Sequence, residues 1–149
     1  MPKKNQKIPK VKTEPHRKKE PVIGNQFASD DRGPIFWSFS LIDCSGPWGF
    51  DSICKNELHN LITSGFKDKE GINWAELKAN GGSHNVEISK IEKNAQKRLE
   101  ELFLDDRDQL FSMRFTGEKR VWGIRDGNVF KILWWDPKHE ICPSRKKHT

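Results

Sequence analysis

Cysteine is scarce in this chain. Cys44, Cys54 and Cys142 are the only three, an odd number with no CxxC pair, which argues against the disulfide framework of a small secreted domain and for a reducing cytosol. Long apolar runs are missing too. Nothing approaches the roughly 18 apolar residues of a membrane helix, and the charged N-terminus lacks the roughly 7–15-residue apolar core of a signal peptide. A soluble, cytoplasmic protein with no membrane partner is expected. Hydrophobic residues make up 34% of the 149, little enough that part of the chain must lie outside any core.

Excess charge is also absent from most of the chain. The segment up to Gly24 carries eight Lys or Arg against Glu14 and Glu20, which accounts for the whole formal charge of +6. The rest is formally neutral. Residues 1–33, rich in Lys and Pro, bury too little to fold alone and read as a disordered basic tail. Such a tail is either a solvated arm or one that touches nucleic-acid phosphates, with Arg17-Lys18-Lys19 as a weak nuclear-localisation signal. Residues 145–149 read as a short basic C-terminal tail.

Between the tails, residues 35–144 read as one α+β domain. Phe36–Ile42 alternates as a first strand. Asp51 or Ser52 can cap a helix with Cys54, Leu58, Leu61 and Ile62 at helical spacing and Gly65 at its end. Asn73 and Glu76 form a capping box for Trp74–Lys78, and a short strand follows around Val86–Ile88. Ser89 and Glu92 have the same spacing before a helix whose stripe is Ile91, Ala95, Leu99 and Leu102, with Lys90, Lys93, Lys97, Arg98 and Glu100 facing water.

The C-terminal third holds three strand-length runs, Leu110–Thr116, Lys119–Arg125 and Val129–Trp135. Breaks at Gly117-Glu118 and Asp126-Gly127 predict an antiparallel meander. Two-residue turns would set Phe115 opposite Arg120, Met113 opposite Trp122 and Phe111 opposite Ile124, with Val129, Lys131, Leu133 and Trp135 on that same face. Arg114, Lys119, Val121, Gly123, Arg125, Phe130, Ile132 and Trp134 would take the other, and a three-residue second turn would swap the faces of the third strand. Both faces mix apolar and basic residues, so the pattern leaves open which one meets solvent. The expected fold is an antiparallel sheet ending in this meander, with helices packed on one face.

This order of a first strand, helices and a C-terminal meander carrying basic residues resembles the RelE/ParE superfamily of small bacterial toxins. The local match runs from Phe111-Ser112-Met113-Arg114 through Glu118-Lys119-Arg120-Val121-Trp122 to the His139 region. The family has there a basic strand residue, a short turn, an Arg-aliphatic-aromatic segment and a His or Arg after the last strand. Several members use a tyrosine near the chain end; this chain has none. The resemblance implies a RelE-like fold and an endoribonuclease that cleaves mRNA, on or near the ribosome, without a metal or other cofactor. It also implies a cognate antitoxin protein as partner.

Attack by the RNA's own 2′-OH needs a base for its proton, cations for the phosphorane and an acid for the departing 5′-oxygen. On the resemblance, Arg120 would hold the phosphate, assisted by Arg114 or Arg125, because a guanidinium binds phosphate in a two-pronged way. His139 would be the acid or base. Lys119 or Lys131 would be a base if neighbouring cations depress its pKa. One of Trp134 and Trp135 would stack a splayed base, the other lying in the core, and Lys138 would contact RNA. Plain structural roles compete: cross-strand cations for Arg114 and Arg120, a surface His139 bonded to Asp136, a loop residue for His84 and a helix residue for His59. Two other function classes stand beside the nuclease. One is a metal site built from Cys44, Cys54, His139 and Cys142. The other is a non-catalytic module of the same fold that binds nucleic acid or protein.

Overall fold

The computed structural model of the chain describes residues 31–143. Its sheet has five strands, β1 (Phe36–Ser38), β2 (His84–Glu87), β3 (Gln109–Arg114), β4 (Arg120–Asp126) and β5 (Val129–Asp136), arranged β1-β5-β4-β3-β2. The expected meander β3-β4-β5 forms its middle. However, β1 runs parallel to β5, Phe36 beside Val129, so the sheet is mixed where a wholly antiparallel one was expected. The domain is α+β.

The turns shift the predicted registers. Between β3 and β4 the loop has three residues, Thr116 to Glu118: the Phe115 N–H donates to the Lys119 carbonyl at 3.0 Å, and Gly117 sits at φ +53°. Met113 therefore opposes Val121, Ser112 opposes Trp122, and Arg114 opposes Arg120. A one-residue slip exchanges faces, so Arg114 and Arg120 share a face where the two-residue turn would have separated them. The next turn is Gly127-Asn128, one residue on from expectation, and pairs Asp126 with Val129. A bulge beside Gly123 then leaves Leu133 as the extra residue. A Cβ at Gly123 would lie 2.3 Å from the Lys131 carbonyl oxygen, so the close approach at the bulge requires glycine.

Both faces of the sheet are buried, which corrects the one-sided packing. On one face Phe111, Met113, Val121, Phe130, Ile132 and Trp135 pack under a long helical segment and α3 (Trp74–Ala79), which contribute Leu61, Phe66, Trp74 and Leu77. On the other, Leu110, Trp122, Ile124, Leu133 and Trp134 pack under Ala95 and Leu99 of α4 (Lys93–Glu101), with Trp48 and Ile141. The run Val129-Phe130-Lys131-Ile132-Leu133-Trp134-Trp135 is nearly unbroken hydrophobic sequence, as a strand covered on both faces needs.

The long segment is α1 (Lys55–Asn60), a π-helical stretch Leu61–Phe66 and α2 (Lys67–Lys69). It starts at Cys54, Asp51 and Ser52 forming a 3-10 turn instead. It continues through Gly65, where an end was expected. A Cβ there would meet the Phe115 ring at 2.6 Å; the glycine admits that ring and does not stop the helix. Leu58 and Ile62 stay exposed. The Asn73 cap forms as expected, its Oδ1 accepting the Glu76 N–H at 2.8 Å. At α4 the cap is Glu92 alone, which accepts the Asn94 N–H at 2.8 Å, while Ser89 lies in a 3-10 turn. Arg98, read as facing water, is mostly covered by its pairing with Asp43.

At the N-terminal boundary Asp31 pairs with Arg125 and Lys78 at 2.6 and 3.0 Å. The tail assigned to 1–33 lies outside the described residues up to residue 30, and so does the basic run 145–149. Among the described residues no helix is long and apolar enough to cross a membrane.

Candidate active site

The face carrying α4 runs out of apolar cover at the end where β3 turns into β4. Arg114, Arg120 and Asp136 lie side by side there on three neighbouring strands. Arg114 is exposed, Arg120 is 8% exposed and Asp136 is fully buried. Arg120 Nη1 donates to the carbonyls of Gly117 and Lys119 at 2.7 and 3.2 Å, so the guanidinium is pinned over the loop it follows. Burial, and next the charge of Arg114, push its pKa below the usual guanidinium value, while Asp136 and Glu118 oppose. Arginine stays charged in any protein at neutral pH.

Asp136 builds the turn that holds His139. Its Oδ1 accepts the Glu140 N–H at 2.8 Å, and Oδ2 accepts the Ile141 N–H at 3.1 Å and the Trp122 indole N–H at 3.2 Å. Ile141 enters the core and its carbonyl accepts the Glu92 N–H at 2.7 Å. The carboxylate thus binds backbone and indole, in place of the surface bond to His139 that a plain structural role would use. His139 adopts φ +56°, uncommon for a non-glycine residue and more frequent at functional sites. Its half-buried ring has a lowered pKa, first from burial and next from Arg120, with Asp136 and Glu118 opposing and His84 adding to the effect.

That arrangement carries a titration prediction. By NMR the His139 ring should titrate below the ordinary 6.5, and Arg120→Met should move its midpoint upward, because one repelling cation is gone. A midpoint that ignores the substitution would separate the two side chains.

Of the other sequence candidates, Lys138 lies exposed beside His139 on the same turn. Arg125 and Lys131 do not join the group. Each sits five residues along its strand from Arg120 or Asp136, roughly 17 Å away. Arg125 lies on the opposite face over the Trp74 ring at 4.3 Å, bonded to Asp31, and Lys131 pairs with Asp126 at 3.1 Å. Lys119 reaches the other side of the loop, 3.8 Å from Glu57. It lines a cleft of about 600 Å³ with Lys69, Phe115 and Trp135. Both Trp134 and Trp135 are buried, at 0% and 5% exposure. With both sheet faces covered, neither is free to stack an RNA base, and the expected division of one inside and one outside does not occur.

No family model, curated protein or solved structure matches the chain. The site stands on its own geometry. Among the described residues no group of three or more His, Cys, Asp or Glu gathers as a metal ion would require, so Cys44, Cys54, His139 and Cys142 are not brought together. Those three cysteines are free thiols.

Sequence reasoning missed Asp136 as the builder of the His139 turn and Lys69 in the cleft. The signal for Asp136 was present as Asp-Pro at a strand end, since an Asp side chain there bonds backbone N–H groups a few residues on. Lys69, half covered and 5.0 Å from the Phe115 ring centre, has its pKa lowered by burial. Its exposed-looking neighbours Asp68 and Glu70 gave no hint.

Proposed function

We propose that this chain is an endoribonuclease of the RelE/ParE type, cleaving mRNA by attack of the 2′-OH on the adjacent phosphate. The observation that carries the reading is the convergence of Arg114, Arg120 and His139 at one end of one sheet face. Arg114, exposed, meets the phosphate first. Arg120, fixed by two carbonyls, stabilises the charge that builds on the phosphorane; a pinned donor needs no reorganisation as that charge develops. His139, held neutral by burial and by Arg120, takes the 2′-OH proton. These side chains supply phosphate binding and proton abstraction by themselves. Ribosome-bound mRNA as substrate, a cognate antitoxin that covers the basic end, and a cytoplasmic setting belong to the same proposal.

The test follows a defined mRNA in a cell-free translation reaction, with and without ribosomes, and maps new 5′ ends. Wild-type protein should create ends bearing a 5′-hydroxyl, and Arg120→Ala should abolish them. If the wild type makes no ends under either condition yet retains RNA, and Arg120→Ala releases it, the chain is a binding module of this architecture.

A further inference from the structure

We infer that His84 is the second proton carrier of this site, the acid that protonates the departing 5′-oxygen opposite His139; this rests on the phosphodiester-cleaving reading above. A loop role suits a histidine that follows two glycines. The structure instead makes His84 the first residue of β2, paired with Ser112. Val86, two residues on, faces the α4 core with Leu110, so His84 lies on the same face as Ser112 and Arg114.

The two glycines are what bring it there. Gly81 and Gly82 both take φ +80°, and a Cβ on Gly82 would stand 2.4 Å from Arg114 Cδ. Ser83, buried, accepts the Arg114 N–H on its Oγ at 2.9 Å. The chain is thus pressed against Arg114 just before His84. Four adjacent segments then each present one basic side chain at one end of one face: His84 from β2, Arg114 from β3, Arg120 from β4 and His139 from the turn after β5. The histidines are outermost and the arginines lie between them. Three strand spacings, roughly 14 Å, separate β2 from β5, the strand whose following turn carries His139.

In-line displacement needs its base and acid on opposite sides of the phosphorus, and this order provides them. His139, half-buried, is the sheltered base; His84 is exposed on an edge strand, open to water. The arginines cannot serve, since they do not release protons. As the O2′–P bond forms, the 2′-OH proton passes to His139. As the P–O5′ bond breaks, its electron pair stays on O5′, which takes a proton from the His84 imidazolium. The products are a 2′,3′-cyclic phosphate and a 5′-hydroxyl. Glu118, exposed on the β3-β4 loop, is the competing proton carrier.

The experiment uses the full chain and an mRNA whose mapped cleavage site carries sulfur in place of the bridging 5′-oxygen, with ribosomes present. A thiolate leaves without help from an acid, its conjugate thiol having a pKa of about 8.5. His84→Ala should slow cleavage of ordinary RNA about 10²–10⁴-fold and cleave the sulfur linkage nearly as fast as wild type. His139→Asn should remain slow on both, and Glu118→Gln should match wild type on both. Loss on both substrates in His84→Ala, no loss on ordinary RNA, or sulfur rescue of Glu118→Gln in its stead would each overturn the assignment of His84 while leaving the nuclease reading intact. A wild type inert on both substrates would overturn the two together.

Discussion

His139→Asn is expected to lower cleavage about 10²–10⁴-fold, the usual contribution of a positioned proton carrier, with stability almost unchanged. Asparagine is the informative replacement because residue 139 stands at φ +56°. Asn visits this left-handed region readily, so the replacement keeps the backbone conformation and does not confuse a folding effect with a chemical one. The pH profile supplies a second readout. Burial and Arg120 favour the neutral ring, and protonation removes the base, so the acid limb of kcat/KM should rise with pH through a midpoint below the ordinary 6.5. Asp136 and Glu118 pull this midpoint back up and His84 pushes it further down. Stability follows the same sign: the unfolded chain binds the proton more readily, so the contribution of His139 is complete above 6.5 and declines as pH falls toward its folded value. A variant that keeps more than about a tenth of the wild-type rate is outside the range for a positioned base and would remove His139 from the mechanism.

The convergence of Arg120 and His139 was legible as residues; their neighbours were not, and one residue of turn length explains most of the difference. Gly117-Glu118 offers a two-residue hairpin, but the three-residue loop places Phe111 and Met113 with Val121 on one core and Leu110 with Trp122 on the other. Burial on both faces decides the register, and that burial depends on helices far away in sequence. The same register puts Arg114 with Arg120 and removes Arg125. Trp134 and Trp135 show the limit of strict alternation: the bulge at Leu133 and the second core change what each residue meets. His84 was hidden for a different cause. Gly81-Gly82 is locally a loop signal; both take a positive φ, and the close neighbour of Gly82 is Arg114, thirty-odd positions on. Arg98 looked solvated because helical periodicity places it off the apolar stripe; its partner Asp43 comes from another part of the chain.

Asp43→Ala should be the most destabilising single polar change in the domain. Its carboxylate is 3% exposed as a residue and accepts four hydrogen bonds: Arg98 Nε and Nη2 at 2.8 Å each, the Trp134 indole N–H at 3.0 Å and the Gly46 N–H at 3.2 Å. Removing one member of a buried pair costs about 3–5 kcal/mol, because the other charge is left uncompensated. Here the lower end applies. Arg98 retains Glu101 at 2.8 Å and is itself partly exposed, while the fully buried Trp134 N–H and the Gly46 N–H lose their acceptor. Against a total of about 5–15 kcal/mol for a domain, a loss of about 3 kcal/mol is large and should lower the urea midpoint by about 1–2 M. The pH dependence separates charge from packing. Hydrogen bonding to Arg98 holds the Asp43 pKa below 3.8 in the fold. The advantage of the wild type over the variant is therefore full above pH 3.8 and shrinks as pH falls through the folded value. A difference that stays constant into acid would assign the effect to packing of the Trp48–Trp134 pair, whose rings stand 5.6 Å apart beside this carboxylate. Cleavage by the folded fraction should be unchanged, since Asp43 anchors α4 to β5 and touches neither Arg120 nor His139.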